Sequence, residues 1–586
     1  MDSKKIKFET DALIKKSKEI RSIIADSDPN KNMLDLLADN IYEFRSYHKL
    51  CFMMSKIARE REVRKTFSRS DSLLLLELEH DATDVRLVEK IKEIEKVNKG
   101  SLEKEDLEFI RSTLDFYNKN GISNGDIRKA RDKMVLCEDG AIRTGTIQSL
   151  LDLVRARTNY ANLFNSTTYS DMIITEDIDS IKQMLRTIIE GIPKDRPVVT
   201  DFGPKLNLSL ALKTILQIIT TWFGLEFVKD PSIPTWHPNV SAFKVTCNGK
   251  NQGYLYIDLS KDEFMPPLSS VVLYEACRYP MGIDAIKTPV AVVFGKIQDS
   301  ITYDIVIHLF KQFAPVVHGF FHRSSYGMIN IQRDTEPFMA QLFEFIITHP
   351  ETVTKFTNND KVQAAINSFR IHGSLNDCFM SLVDLMVHGD IGQKLDNCDK
   401  MGLMINEIGK QLNIKYDMKE LVDRLVNNGG LCYAKLFNGI MVHRLGGVVR
   451  DHTMMTRFIE DTVAQTTEDF KTTIKRFIEG IDKDKNKANK QDKQNKLNKL
   501  NKLNKPDKLD KPNNPDKLNK PKSILKQSTT TKVEKMERKM ETGKMEDEIE
   551  KQSIIMIKKN KNKKQRDKTS RKKLVKNTYS DYYTDN

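Results

Sequence analysis

Apolar residues recur at helical spacing through most of the chain, and this pattern limits the fold more than any other sequence feature. The spacing predicts a series of amphipathic helices between about residues 30 and 195. Helical spacing resumes at about residue 301 and continues to about residue 477. Because nearly the whole patterned region is helical, we expect a mainly α fold.

One short region between these helical stretches has a different pattern. Residues 206–223 form an amphipathic stretch, and Gly224 follows it where a helix would end. Residues 242–245 and 254–259 alternate like two short strands, and residues 248–251 between them are typical of a turn. The sequence therefore predicts one small β-sheet, which begins with a hairpin.

Composition divides the chain into three parts. Pro193 and Pro197 mark a boundary between a helical N-terminal lobe, residues 1–195, and a second lobe, residues 196–480. Beyond these lobes the chain becomes a run of Lys and Asn with few apolar residues. Such a run cannot offset an ordering cost of about 1–2 kcal/mol per residue. We therefore expect residues 481–586 to be a disordered, low-complexity basic tail.

The positive charge of the chain is concentrated in this tail. Residues 481–586 contain 32 Lys/Arg and 16 Asp/Glu, which leaves 63 basic and 65 acidic residues in residues 1–480. The formal net charge of +14 therefore does not indicate that the whole protein binds nucleic acid. The tail is either a solvated low-complexity segment or a contact surface for nucleic acid or another acidic partner.

Cysteine usage and hydropathy indicate a compartment. The seven cysteines are scattered without a CxxC pair, which is typical of free thiols under reducing conditions. The N-terminus lacks the apolar run of a secretory signal, and no apolar stretch reaches the roughly 20 residues needed to cross a bilayer. We expect an intracellular, cytoplasmic protein that is not secreted and does not contact a membrane.

Several stretches resemble, in order, the thimet oligopeptidase, neurolysin and oligopeptidase A family of zinc metallopeptidases. Residues 235–259, which begin TWHP and end GYLYIDL, are the most specific of them. Residues 288–294 are similar to the strand before the family's active-site helix, residues 309–322 to that helix, and residues 334–345 to the helix with its third zinc ligand. The resemblance covers roughly residues 100–460. It implies a two-lobed, helical zincin-like fold around a deep channel.

The resemblance also shows which catalytic residues are missing. The family's helix carries two zinc-binding histidines four residues apart and a glutamate as general base. The matching positions here hold Lys311, Gln312 and Pro315, and Pro337 stands at the place of the third ligand. An ammonium group repels a cation, a neutral amide cannot act as a general base, and a proline inside a helix predicts a kink at that residue. The sequence thus favours a protein that is not an enzyme.

A shifted zinc site is the alternative at this position. His318 and His322 have the spacing of a metal-binding pair, and Glu336 could complete the site. However, Gly319 stands at the general-base position, and His318 matches a non-ligand histidine of the family. Ordinary helix-face histidines are therefore the preferred interpretation. Downstream, Tyr433 is a candidate remnant of the tyrosines that the family uses in catalysis.

Three hypotheses follow. The leading one is a pseudoenzyme, without a cofactor, that is retained to bind a peptide or protein in its channel or to serve a structural role. The second is an active zinc endopeptidase with relocated metal ligands. The third is a protein that associates with nucleic acid through its tail.

Overall fold

The computed structural model describes residues 3–81, 84–119, 125–174, 176–193, 198–274, 289–321, 337–389 and 397–446, with a few isolated positions between 392 and 480. The predicted tail, residues 481–586, lies outside the described residues. Within them the protein is mainly helical with small sheets, so the predicted fold class is confirmed.

Nine helices occupy the described residues before residue 194. They are α1 (Ser3–Asp26), α2 (Lys31–Ile57), α3 (Arg61–Asp81), α4 (Val85–Val97), α5 (Lys104–Lys119), α6 (Gly125–Thr144), α7 (Ile147–Asn162), α8 (Tyr169–Ile173) and α9 (Ile178–Gly191). Side-chain caps fix several starts: Asn30, Asp84 and Asp177 each accept a hydrogen bond from a backbone N–H of the first turn. The predicted helical series is therefore present.

The β-strands follow. They are β1 (Leu206–Asn207), β2 (Leu225–Lys229), β3 (Ser241–Cys247), β4 (Lys250–Ser260), β5 (Ser269–Tyr274), β6 (Val290–Lys296) and β7 (Ser300–Ile301), with helix α10 (Leu208–Phe223) between β1 and β2. One sheet has the order β2-β3-β4-β6-β5; β4 and β6 are parallel and the other neighbours antiparallel. Strands β1 and β7 form a separate antiparallel pair.

The β3–β4 hairpin is present but tighter than predicted. Its turn consists of Asn248 and Gly249, which both have positive φ, 50° and 73°. Positive φ at both central residues matches the right-handed twist of the flanking strands, and Asn-Gly adopts it readily. Lys250 and Asn251, predicted to lie in the turn, belong to β4 instead.

Eight further helices complete the fold of the described residues. They are α11 (Tyr303–Lys311), α12 (Phe313–Phe321), α13 (Pro337–Thr348), α14 (Pro350–Val353), α15 (Asp360–His388), α16 (Cys398–Leu412), α17 (Met418–Asn428) and α18 (Ala434–Gly446). None of the helices in the described part of the chain is both long enough and apolar enough to cross a bilayer.

Strand β6 is buried on both faces and joins two cores. Ala291 and Val293 face the core formed with α10–α13, whereas Val292 and Phe294 belong to the core that also contains Phe44 of α2. Alternate residues of a strand point to opposite faces, so one short apolar strand serves both cores. The first helices of the chain thus pack directly on the sheet.

A buried ion pair strengthens this junction. Asp258 of β4 is fully buried and accepts hydrogen bonds from Arg59 Nη2 at 2.7 Å and from Trp236 Nε1 at 2.8 Å. The Trp236 ring also packs against Tyr256, with the ring centroids 5.2 Å apart. The Trp236 segment therefore has a packing role.

Candidate functional site

The helix that was predicted to run through residues 309–322 is divided in two. Helix α11 ends at Lys311, α12 begins at Phe313, and Gln312 lies between them. The sequence predicted a kink at Pro315, but the break comes three residues earlier. The physical reason is that a proline offers no N–H to the carbonyl four residues before it, here that of Lys311, and its ring crowds that carbonyl.

A large cleft lies beside this break. Its volume is about 1010 Å³. It is lined by the four residues that replace the family's zinc ligands and general base, and by one histidine of the alternative site: Lys311, Gln312, Pro315, Pro337 and His318. The fold therefore brings together residues that the sequence placed in one candidate site. His322 and Glu336 lie outside the described residues.

Lys311, which lines the cleft, is paired with a glutamate of α13. Its Nζ lies 2.5 Å from Oε2 of Glu344 on α13, and both side chains are about one-fifth exposed, 21% and 18%. Burial raises the pKa of the Glu344 carboxyl, but the charge and hydrogen bond of Lys311, together with the nearby charges of Lys435 and Arg370, outweigh burial and hold that pKa below its usual value. The positively charged ammonium group of Lys311 therefore lies at the position of the family's first zinc ligand.

The described donor groups do not fit a zinc ion at this position. Lys311 presents an ammonium group, Gln312 an amide, and Pro315 and Pro337 no donor atom at all. Gln312 lies close to β5, where Ser270 Oγ is 3.5 Å from its Oε1. In the part of the chain that the structure describes, no three His, Cys, Asp or Glu side chains are grouped closely enough to hold a metal ion.

Close packing between α12 and β5 explains why a glycine follows His318 at position 319. His318 is 6% exposed, and α12 packs against β5 at this point. A Cβ at Gly319 would lie 3.0 Å from both Cγ atoms of Val272, so the glycine permits the close approach of helix and strand. A glutamate could not take the general-base position of the shifted site without moving β5. This favours a packing role for Gly319.

Another wall of the cleft is held by Arg157 of α7. Its side chain is 3% exposed and donates to the backbone oxygens of Leu425 at 2.8 Å and Val426 at 2.7 Å. It also donates to Glu138 Oε1 at 2.9 Å and lies over the ring of Tyr169. Arg157, Glu138, Tyr169 and Val426 all line the cleft, so this arginine fixes much of that wall.

A buried histidine connects Arg157 to Asp384. His388 Nε2 lies 3.0 Å from Arg157 Nη1, and His388 Nδ1 lies 2.7 Å from Asp384 Oδ1. Burial lowers the pKa of His388 more than Asp384 raises it. The neutral ring can therefore donate from Nδ1 to Asp384 and accept from Arg157 at Nε2. Asp384 also accepts from the backbone N–H groups of Gly430 and Cys432 at 2.9 and 3.0 Å.

This Arg157–His388–Asp384 network was missed from the sequence. The available signal was the spacing of Asp384 and His388, four residues apart on one helix face. Tyr433, the proposed remnant of the family's tyrosines, is fully buried in an apolar cluster and does not line the cleft. It therefore has a packing role.

Part of the chain is similar in sequence to known proteins. Residues 192–422 match the model of Peptidase family M3. The chain is 26% identical over 178 residues to the dipeptidyl carboxypeptidase of Escherichia coli (strain K12), covering 26% of this chain and 24% of that protein. The dipeptidyl carboxypeptidase of Salmonella typhimurium is also 26% identical, and 25% of its length is covered. The match thus spans about a quarter of these relatives' length.

Solved structures extend the likeness in fold. The M32 carboxypeptidase from Deinococcus radiodurans R1 has a TM-score of 0.54 at 11% identity, covering 76% of this chain and 95% of that one. Trypanosoma cruzi metallocarboxypeptidase 1 has a TM-score of 0.53 at 10% identity, covering 80% and 96%. The family match, together with this fold, supports a metallopeptidase-like protein. Residues 192–422 carry a Peptidase family M3 domain, so the family resemblance is confirmed.

Proposed function

We propose that this protein binds peptides in the cleft without hydrolysing them. One observation supports this most directly: the positions where the family would place its zinc site line an open cleft, but Lys311 there is engaged by Glu344. Hydrolysis requires the metal and the general base, whereas peptide binding draws on contacts with the cleft walls. The cleft can therefore bind after hydrolysis is lost.

The cleft walls suit an extended peptide. Met134 and Met339 supply apolar contacts, and methionine adapts readily to different side chains. Lys311 and Glu138 also line the cleft, where they are paired with Glu344 and Arg157, and Asp139 adds an acidic side chain. A volume of about 1010 Å³ is at the upper end of the roughly 300–1,000 Å³ typical of small-ligand sites.

The first test concerns hydrolysis. The full chain is purified with zinc present, its metal content is measured, and quenched-fluorescence peptides are supplied as substrates. We expect no stoichiometric zinc and no cleavage. Stoichiometric zinc together with chelator-sensitive cleavage would instead establish the alternative, an active peptidase with relocated ligands such as His318, His322 and Glu336.

The second test concerns binding. Fluorescence anisotropy is measured with a mixture of labelled short peptides. Ala340 lines the cleft, so Ala340→Trp should fill it and abolish peptide binding. Leu403→Trp is the matched control because Leu403 is 67% exposed on α16, away from the cleft. Peptide binding that Ala340→Trp leaves intact would refute a binding site in the cleft.

A further inference from the structure

A second, smaller cavity lies among α9, α13, α15 and α18. Its volume is about 270 Å³. Five charged or titratable side chains line it: Glu344, Arg370, Asp377, Lys435 and His443. We call it the Arg370 pocket. The Arg370 pocket adjoins the cleft: Ala340 and Ala434 line the cleft, and the next residues, Gln341 and Lys435, line the pocket. The two cavities have no lining residue in common among those that the structure describes.

Both acidic side chains of the Arg370 pocket already have basic partners. Glu344 is paired with Lys311, as described above. Asp377 Oδ2 lies 2.6 Å from Lys435 Nζ, and Asp377 is only 13% exposed. Within each pair, the negative and the positive charge neutralise each other. The remaining charge in the pocket belongs to Arg370.

Arg370 has a neutral partner. Its Nη2 lies 2.8 Å from Nε2 of His443. A guanidinium can only donate, so the His443 ring accepts this hydrogen bond at Nε2 in its neutral form; partial burial and the charge of Arg370 both lower the pKa of His443 and favour that form. Among the residues that the structure describes, no carboxylate lies within ion-pair distance of Arg370. The guanidinium therefore keeps a full positive charge and further N–H donors beside the cavity.

We propose that the Arg370 pocket binds a small carboxylate, held by Arg370. A guanidinium matches a carboxylate through two parallel N–H···O bonds. One positive charge without an ion-pair contact among the described residues suits a monoanion, and the nearby carboxylates of Glu344 and Asp377 disfavour a dianion such as phosphate. The volume limits the ligand to roughly the size of one amino acid.

This carboxylate can come from a free amino acid or from the end of a short peptide. The proposal does not rest on peptide binding in the main cleft, since the two cavities have different linings. The variant Ala340→Trp, which fills the cleft, should therefore leave carboxylate binding in the Arg370 pocket unchanged.

Calorimetric titration of the full chain with four probes tests the proposal. The probes are L-leucine, its amide L-leucinamide, the tripeptide Gly-Gly-Leu and inorganic phosphate. We expect L-leucine, Gly-Gly-Leu or both to bind, and L-leucinamide and phosphate not to bind. Binding of L-leucine indicates a free amino acid as the source, whereas binding of the tripeptide alone indicates a peptide end.

Variants locate the binding in the Arg370 pocket. Arg370→Gln should weaken carboxylate binding by roughly tenfold to a hundredfold, because a hydrogen-bonded charge is lost. Arg370→Lys keeps the charge but loses the planar fork, so its loss should be smaller. Gly373→Leu should block the pocket without a charge change, since open space lies where its Cβ would be. Lys182→Gln, at an exposed ion pair on α9, is the control.

Three results would overturn the proposal. The first is no binding of either carboxylate at millimolar concentration. The second is equal binding of L-leucinamide or phosphate. The third is an unchanged affinity in Arg370→Gln and Gly373→Leu proteins that unfold at the wild-type temperature.

Discussion

At the scale of single residues, the Lys311–Glu344 pair makes each partner depend on the other. Lys311→Met would leave the Glu344 carboxylate buried without its cation, and we expect a loss of roughly 3 kcal/mol in the free energy of unfolding. Because the folded pKa of Glu344 is lowered, the pair stabilises above the carboxyl's usual pKa of about 4.5 and is lost as pH falls below it. Urea unfolding at pH 7 measures the loss.

The double variant is the control for this prediction. Lys311→Met combined with Glu344→Leu removes both charges, so it should recover most of the stability that the single variant loses. A double variant as unstable as Lys311→Met would show that lost packing, and not the uncompensated carboxylate, causes the effect.

Asp258 gives a second prediction at this scale. Asp258→Ala would leave Arg59 and Trp236 without their shared acceptor, at a cost of roughly 3–5 kcal/mol. Asp262→Ala is the matched control because its contact with the same arginine is longer, 3.9 Å, and 45% of Asp262 is exposed. We expect about 0–1 kcal/mol there. Denaturant unfolding followed by tryptophan fluorescence compares them; equal losses would contradict the assigned role.

Single residues also show how far the sequence could predict the site. The positions of Lys311, Gln312, Pro315 and Pro337 were identified from the sequence, since they lie within matched segments. The partner of Lys311 was not, because Glu344 lies 33 residues away on another helix. Only the fold brings such groups together.

At the scale of elements, positive-φ glycines fix where helices end. Gly224 ends α10 with φ of 69°, and its Cβ position is otherwise nearly open, with Cys247 Sγ at 3.8 Å. Gly224→Ala should therefore cost about 1 kcal/mol through backbone strain alone. Gly140→Ala inside α6, where nothing lies within 4 Å, should instead stabilise by about 0.5–1 kcal/mol. Thermal unfolding measures both, and equal signs would refute this account.

Elements show the same division between what the sequence could and could not predict. The end of α10 at Gly224 and the β3–β4 hairpin followed from local signals, because a glycine stop and an Asn-Gly turn act within a few residues. The helix break was predicted at Pro315 but lies at Gln312, because a proline disturbs the carbonyl four residues before it. The parallel pairing of β4 with β6 had no local signal.

At the scale of the whole molecule, histidines with lowered pKa values should make stability depend on pH. Four described histidines have lowered pKa values, chiefly through loss of hydration, which is complete at His388 and partial at the others: His48, His308, His388 and His443. The unfolded chain binds more protons below the usual histidine pKa of about 6.5, so the free energy of unfolding should fall between pH 7.5 and 5.5. Urea unfolding across this range measures it, and a flat profile would contradict the prediction.

Charge distribution supports a further whole-molecule prediction. Residues 1–480 are nearly neutral and residues 481–586 carry the excess of basic groups. The full chain should bind heparin at low salt, and a chain ending at residue 480 should not, because polyanion binding follows local positive charge. Retention of the shortened chain on a heparin column would contradict this prediction, because it would place the polyanion-binding surface in residues 1–480.

The core shared by α1–α3 and the sheet also has a consequence for biosynthesis. Ile6 and Phe44 share a buried cluster with Val292 and Phe294, which lie about 250 to 290 residues further along the chain. While the ribosome is still making the strands, the first helices have no sheet to cover their apolar face. Such a nascent chain exposes hydrophobic surface and is prone to aggregate. The protein should therefore depend on chaperones until β6 has emerged.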